Sequence, residues 1–190
     1  MVNKSKKVLG ADNQQERSRT KLCLQISGFV DGEGSFHVGL QRSKNVKLGW
    51  QIVPEFHVSQ SQDRQDALKT IKEVFKAGYI KPNHKTNPRD KTSVFVIRDR
   101  KSLTQKVTPF FREYPLFTEK QKDFEKFAKV IKMMNEKEHL KTKGLKKIIK
   151  IAFSMNRNGK YRKYKLKDII LSSKSSETIR RTPTKKSGKT

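Results

Sequence analysis

The stretch Ile26-Ser27-Gly28-Phe29-Val30-Asp31-Gly32-Glu33-Gly34-Ser35-Phe36 changes hydrophobic period within a few residues. Before it, Leu22, Ile26, Phe29 and Val30 recur at helical spacing, which marks an amphipathic helix. After it, Phe36, Val38 and Leu40 alternate with His37, Gly39 and Gln41, the pattern of a strand with one buried face. The helix must stop at Asp31-Gly32-Glu33-Gly34, where two glycines permit backbone angles that other residues resist. A helix that crosses straight into a strand constrains the fold strongly. The strand's sheet has to offer the helix a face to pack on.

The rest of the chain extends this pattern. Ser18 or Thr20 can cap the first helix, and the polar residues 1–17 are expected to be disordered. Residues 43–49 read as a loop. A second strand runs from Trp50 to Ser59, and Pro54 within it argues for an edge or a bulge. Asp63 can cap a second helix with Ala67, Leu68, Ile71, Val74 and Phe75 as its buried stripe, ended by Ala77-Gly78. Strands follow at Tyr79–Pro82 and Ser93–Arg98, then a short helix holding Leu103 and Val107 before Pro109. Further helices are expected at Lys120–Met134 and Leu145–Met155. The segment Asn156–Tyr164 reads as basic turns. The folded domain should therefore cover 18–171, with a basic, disordered tail at 172–190. The order helix, strand, strand, helix, strand, strand, helix predicts an α+β domain with an antiparallel sheet. One sheet face would meet helices and the other a ligand.

Charge narrows that ligand. Forty-five Lys and Arg face 18 Asp and Glu among 190 residues, a net +27. From Lys137 onward there are 18 basic and three acidic side chains. Charge this one-sided is costly for a compact fold and points to a polyanion, nucleic acid above all. Eleven Phe residues still allow a real core. A single cysteine, Cys23, excludes a disulfide framework and a Cys-based zinc site. His37, His57, His84 and His139 have no metal-ligand spacing. No apolar run approaches the ~18 residues of a membrane span, and no membrane partner is expected. The first twenty residues read neither as a signal peptide nor as a good transit peptide. A chain made inside a chloroplast or mitochondrion, or in a bacterial or archaeal cytoplasm, needs neither. No phosphate-binding loop or Ser/Cys nucleophile motif is present.

Glu33 carries the chemistry. It falls at a helix C-terminus, where unpaired carbonyls and the negative end of the dipole disfavour a carboxylate without a cation. A divalent metal held by hard oxygen ligands would resolve that misfit. The plainer reading makes Gly-Glu-Gly a flexible turn with Glu33 in water. Gly28 and Gly32, four residues apart, share one helix face, where small residues let a second helix approach closely. The whole run Ile-Ser-Gly-Phe-Val-Asp-Gly-Glu-Gly-Ser-Phe closely resembles the LAGLIDADG motif of homing endonucleases. The order of elements across residues 20–170 is similar to that family as well.

The resemblance has definite implications. It implies the αββαββα fold with a saddle-shaped sheet. With one motif copy it implies a homodimer, with Gly28, Phe29 and Gly32 in the interface. Glu33 would be the metal-binding acid, one methylene longer than the Asp of many members, and the Gly32 carbonyl a second ligand. The metal would be Mg²⁺, with Mn²⁺ as an alternative. Asp31 is a structural end-of-helix residue on this reading. Gln60 and Arg64 would line the pocket near the scissile phosphate, and Lys120, with Lys122 as rival, would stabilise charge there. On the plainer view Gln60 and Arg64 cap a helix and touch a phosphate, and Lys120 is a surface lysine. Base edges would be read by Ser35, His37, Gln41, Gln51, Val53, Glu55 and His57. Arg42, Lys44, Lys47, Lys160, Arg162 and Lys163 would contact phosphates. The implied activity is site-specific double-strand DNA cleavage at a long, near-palindromic target during intron homing. The rivals are a maturase that binds intron RNA for splicing, and a non-catalytic nucleic-acid-binding protein.

Overall fold

The computed structural model describes residues 5–84, 86–87, 89–156 and 162–178, with backbone alone at 5–12 and 173–178. Its elements are α1 (Ser5–Glu33), β1 (Gly34–Arg42), β2 (Trp50–Ser61), α2 (Asp66–Phe75), β3 (Tyr79–Pro82), β4 (Thr92–Ile97), α3 (Arg100–Ser102), α4 (Thr108–Glu113), α5 (Lys120–Asn135), α6 (Thr142–Phe153) and α7 (Leu166–Thr178). The strands hydrogen-bond in the order β1-β2-β4-β3. The α+β class and the order of the main elements match the sequence expectation. The chain divides into two compact units, residues 1–35 with 56–124 and residues 36–55 with 125–190.

In the first unit α1 buries Cys23, Ile26, Ser27 and Val30, one helical face by their spacing. The core is aromatic. Phe56 of β2 has Phe75, Phe95 and Phe111 at ring-centroid distances of 5.6, 6.3 and 5.5 Å, and Phe111 has Phe124 at 5.7 Å. Such tilted pairs contribute roughly 0.5–1.5 kcal/mol each beyond their area burial. β4 is antiparallel to both neighbours: Phe56 to Ser61 of β2 face Ile97 to Thr92, and Tyr79 to Pro82 of β3 face Val96 to Ser93. Gly78 precedes β3 at φ +79, where a Cβ would meet the Val96 carbonyl at 2.5 Å. Only glycine satisfies both demands.

In the second unit Phe36 of β1 packs on Phe127 of α5 at 5.4 Å, and α6 buries Leu145, Ile148, Ile149 and Ala152. β1 ends the strand order, so among the described residues one of its edges meets no strand. Two side chains cover that edge. Asn156 Nδ2 donates to the Phe36 carbonyl at 2.9 Å, and Arg162 Nη1 donates to the Val38 carbonyl at 2.9 Å. Capping an open edge in this way blocks unwanted strand addition.

Several local expectations are corrected. α1 begins at Ser5, before Ser18 or Thr20, so 5–17 are helical where disorder was expected. Neither Gly32 nor Gly34 has a positive φ; α1 continues through Glu33 in ordinary helical geometry. Gly34 is instead needed for space, since its Cβ would meet Val30 Cγ1 at 2.5 Å and the Val30 carbonyl at 2.6 Å. β2 is an internal strand, but Pro54 precedes Phe56, the first residue registered with β4. The missing N–H therefore falls outside that ladder. Asp63 caps no helix. It sits in a 3-10 turn, Gln62–Arg64, accepts the Ser61 hydroxyl, and leaves α2 to start after Gln65.

Pro109 does not end the helical run 100–113, because a π-helical turn, Leu103–Val107, precedes it. Thr108 Oγ1 donates to the Leu103 carbonyl there at 2.8 Å, and such a wider turn can accommodate proline's missing donor. Finally, α7 reaches Thr178, within the expected tail. Ile169 is buried on it, and Ser172 Oγ accepts from Trp50 Nε1 at 3.0 Å.

Candidate functional site

The end of α1 presents two different faces. Ser27 and Asp31, four apart, hold the segment 114–118. Ser27 Oγ lies 2.9 and 3.1 Å from the Tyr114 and Pro115 carbonyls. The Asp31 carboxylate accepts the Phe117 and Thr118 N–H groups, both at 2.9 Å, and the Thr118 hydroxyl at 2.6 Å. Asp31 is thus structural, as expected. Gly28 and Gly32 form the other face, and nothing lies within 4 Å of a Cβ placed on either. Leu24 on α1 is 55% exposed, and Phe117 beside Asp31 is 98% exposed. Neither is among the residues singled out from the sequence. The signal for Leu24 was available, since it lies four residues before Gly28.

Glu33, the last residue of α1, is exposed. The cation demanded by its position is present in the chain. Lys120, the first residue of α5, donates from Nζ to the Val30 carbonyl at 3.0 Å and the Gly32 carbonyl at 3.2 Å. It occupies the negative end of the helix dipole. Burial pushes its ammonium below the usual lysine range, while Asp31, Glu33 and Asp123 pull the other way. Lys120 is therefore no ordinary surface lysine. Lys122, its rival, pairs instead with Glu119 at 2.7 Å.

The oxygen donors suit a hard divalent cation. Glu33 and Gly32 are both exposed residues, offering a carboxylate and a backbone carbonyl. They fall short of a complete site, since the described residues contain no cluster of three or more His, Cys, Asp or Glu side chains able to hold a metal. The Gly32 carbonyl expected as a ligand already accepts from Lys120, so the ammonium and a metal would share it.

Gln60 and Arg64 lie in the same unit, at the exit of β2 and in the turn after it. Gln60 Oε1 accepts the Ser61 N–H at 2.8 Å, and Arg64 is exposed. Among the described residues no hydrogen bond or ion pair joins either to Glu33 or Lys120. The structure sets Glu33 and Lys120 at the same helix terminus, where the carboxylate acts on the ammonium, and joins neither Gln60 nor Arg64 to them by a direct bond.

Of the expected base readers, Gln41 and Gln51 are exposed and Ser35, His37, Val53 and His57 half-buried. Glu55 is the correction: it is buried at 7% relative exposure, although alternation along β2 groups it with Gln51 and Val53. Arg42 lies with its guanidinium 5.3 Å from the Trp50 ring. Lys44, Lys47 and Lys163 are exposed, with Lys163 Nζ 5.7 Å from the Tyr164 ring. Lys160 lies outside the described residues.

Arg162, expected on phosphate, is committed elsewhere. Besides the Val38 carbonyl it donates to the Ala152 carbonyl at 2.6 Å, and it lies 5.1 Å from the Phe153 ring. Burial pushes its guanidinium below the usual arginine value. No helix among the described residues is long and apolar enough to cross a membrane.

Comparison with known proteins identifies the family. The family described as LAGLIDADG endonuclease matches residues 26–131. Probable intron-encoded endonuclease 3 of Neurospora crassa is 34% identical over 68% of this chain, which spans 24% of that protein. DNA endonuclease I-CeuI of Chlamydomonas moewusii is 32% identical over 70% of this chain and 61% of its own length. The chain thus spans less than two thirds of either relative. The archaeal intron-encoded homing endonuclease I-Vdi141I, solved in complex with DNA, superposes with a TM-score of 0.75 at 27% identity, covering 85% of this chain and 99% of that one. The motif residues, the order of elements and these matches together place the chain in the LAGLIDADG endonuclease family.

Proposed function

We propose that this chain is a site-specific, divalent-metal-dependent DNA endonuclease that acts as a homodimer on a long, near-palindromic target. One observation carries the reading. α1 ends in an exposed carboxylate, Glu33, beside a half-buried ammonium, Lys120, that rests on the same helix terminus. The helix terminus accounts for the ammonium, and the exposed carboxylate beside it is what phosphodiester hydrolysis can use together with that charge. Pairing with a second copy would use the open Gly28 and Gly32 face, with Phe29 and Leu24 beside it. Two-fold symmetry would then bring the two Glu33 carboxylates toward one axis and demand a two-fold-related target. Like charges so placed favour bound cations.

A bound Mg²⁺ or Mn²⁺, held by Glu33 and the Gly32 carbonyl, would supply Lewis-acid and nucleophile-activating chemistry. The chain's own residues do the rest. Lys120 offers positive charge where negative charge develops on the phosphate, in a site already oriented before substrate arrives. Gln60 and Arg64 orient solvent and phosphate at the β2 exit. Ser35, His37, Gln41, Gln51, Val53 and His57 read base edges, and Arg42, Lys44, Lys47 and Lys163 contact phosphates. Intron homing in an organelle is the setting that fits.

The test is cleavage of a large random-site DNA library, with Mg²⁺ and with EDTA. Recovery of a rare, roughly two-fold symmetric sequence, cut in both strands only with metal, supports the proposal. Tight DNA or RNA binding with no cut sequence overturns it.

A further inference from the structure

We infer that Thr118, held by Asp31, is a positioning residue that sets the Lys120 ammonium on the end of α1; this rests on the role given to Lys120 above. The sequence Thr118-Glu119-Lys120-Gln121 has the spacing of a capping box. In such a box the hydroxyl accepts the N–H three residues on, and the Gln side chain returns to accept the N–H of the capping residue. Neither bond is made here: the Gln121 N–H goes to the Thr118 carbonyl at 3.0 Å. Thr118 Oγ1 accepts the Lys120 N–H at 3.2 Å. The Thr118 N–H goes to Asp31 Oδ2, and Gln121 Oε1 accepts from Leu116 instead, at 3.1 Å.

The box has been opened so that the start of α5 is tied to the end of α1, 87 residues away. If α5 needed only a cap, the local box would suffice. The diverted bonds achieve something a local box cannot. They fix the first residue of α5 relative to the last carbonyls of α1. The Thr118 hydroxyl is the link: it donates to Asp31 Oδ1 and accepts from the Lys120 backbone, so both its roles are used. Lys120 can then reach the Val30 and Gly32 carbonyls together, and its side chain loses little freedom when substrate binds. Gly34 supports the same geometry by leaving room at the Val30 carbonyl.

The experiment compares wild type, Thr118→Val, Thr118→Ser, Lys120→Met and the Thr118→Val/Lys120→Met double variant. Single-turnover cleavage and DNA affinity are measured on a site recovered from the library, with a lysine-ammonium NMR spectrum of each free protein. Thr118→Val should slow cleavage about tenfold with affinity nearly unchanged, and Thr118→Ser should restore the rate. In the Lys120→Met background, adding Thr118→Val should change the rate by less than about twofold, because the two act as one unit. The hydrogen-bonded Lys120 ammonium signal, assigned by its loss in Lys120→Met, should persist in Thr118→Ser and vanish in Thr118→Val.

A Thr118→Val protein that cuts normally and keeps the signal overturns the inference. So does a rate loss that multiplies fully in the Lys120→Met background. If the wild type binds DNA but cuts nothing, the endonuclease reading fails, and the ammonium spectra alone still decide for or against the link.

Discussion

Lys120 in the first unit and Arg162 in the second make the same kind of contact. Each is a partly buried cation donating to two backbone carbonyls. Burial pushes each below its ordinary pKa. Their surroundings separate them. Lys120 has Asp31, Glu33 and Asp123 acting on it, whereas among the described residues desolvation alone acts on Arg162. The carbonyls differ too. Lys120 rests on the last turn of a helix, where carbonyls are left over by geometry. Arg162 covers the open edge of β1. A cation on carbonyls is thus a structural device in one place and part of a charged centre in the other. Neighbouring carboxylates distinguish the two.

That contrast can be broken most sharply at Lys120. Lys120→Met should lower single-turnover cleavage on the order of 100-fold, the usual cost of one transition-state donor. Two charge-assisted bonds to carbonyls are lost with it, so stability should also fall; the deciding quantity is the rate per folded molecule, and a parallel loss of DNA affinity would count against the assignment. Arg162→Met should cost stability alone. Two charge-assisted bonds to carbonyls disappear, so unfolding free energy in urea should drop by about 2–3 kcal/mol. The rate per folded molecule should hold; a cleavage defect at full stability would show that Arg162 touches phosphate after all.

How much of this was legible in advance differs from residue to residue. The period change around residues 31–34 located α1 and β1, and alternation located Phe36 and Val38 in the core. The motif located Glu33, and register along the family pattern located Lys120. What Lys120 touches could not be read, because Val30 and Gly32 lie 90 and 88 residues away. Asp31 was read as structural without its partner for the same reason. Arg162 was misread because a basic tract gives every arginine the same local signal, and only the fold shows which one meets a strand edge. Glu55 sat in an outward register by alternation yet is buried. Period reports direction along a strand and says nothing of what covers that face. Pro109 reads as a stop in the sequence because a π-helical turn has no simple sequence signature.

Glycines sharpen the contrast between an occupied and an open face. Gly34→Ala would force a Cβ against Val30 and should cost about 1–3 kcal/mol, the range for overpacking. Gly28→Ala meets nothing within 4 Å, so the monomer fold should be unaffected in calorimetry. Self-association by analytical ultracentrifugation should weaken instead. Equal effects of both substitutions on monomer stability would contradict the assignment of the open face to a second copy.

The smallest expected effect lies at the β3–β4 loop. Asp90 is held below its usual 3.8, first by Thr92, then by Asn83. A depressed carboxylate contributes stability that is present above the unfolded value and is lost as pH falls through the folded one. Acid titration should therefore weaken the protein below about pH 4, and Asp90→Asn should flatten that part of the curve slightly. An unchanged acid limb in Asp90→Asn would remove Asp90 from this role.

Glu33 offers the most direct test of the whole. Glu33→Gln preserves shape, removes one charge and alters an exposed side chain, so folding should be untouched. Wild type and Glu33→Gln would be compared on one recovered DNA site with Mg²⁺, reading single-turnover cleavage and equilibrium affinity from the same samples. The expected result is a cleavage loss of at least about 1,000-fold with affinity preserved. Normal cleavage by Glu33→Gln would contradict the central assignment, because the carboxylate at the end of α1 would then have no part in the chemistry.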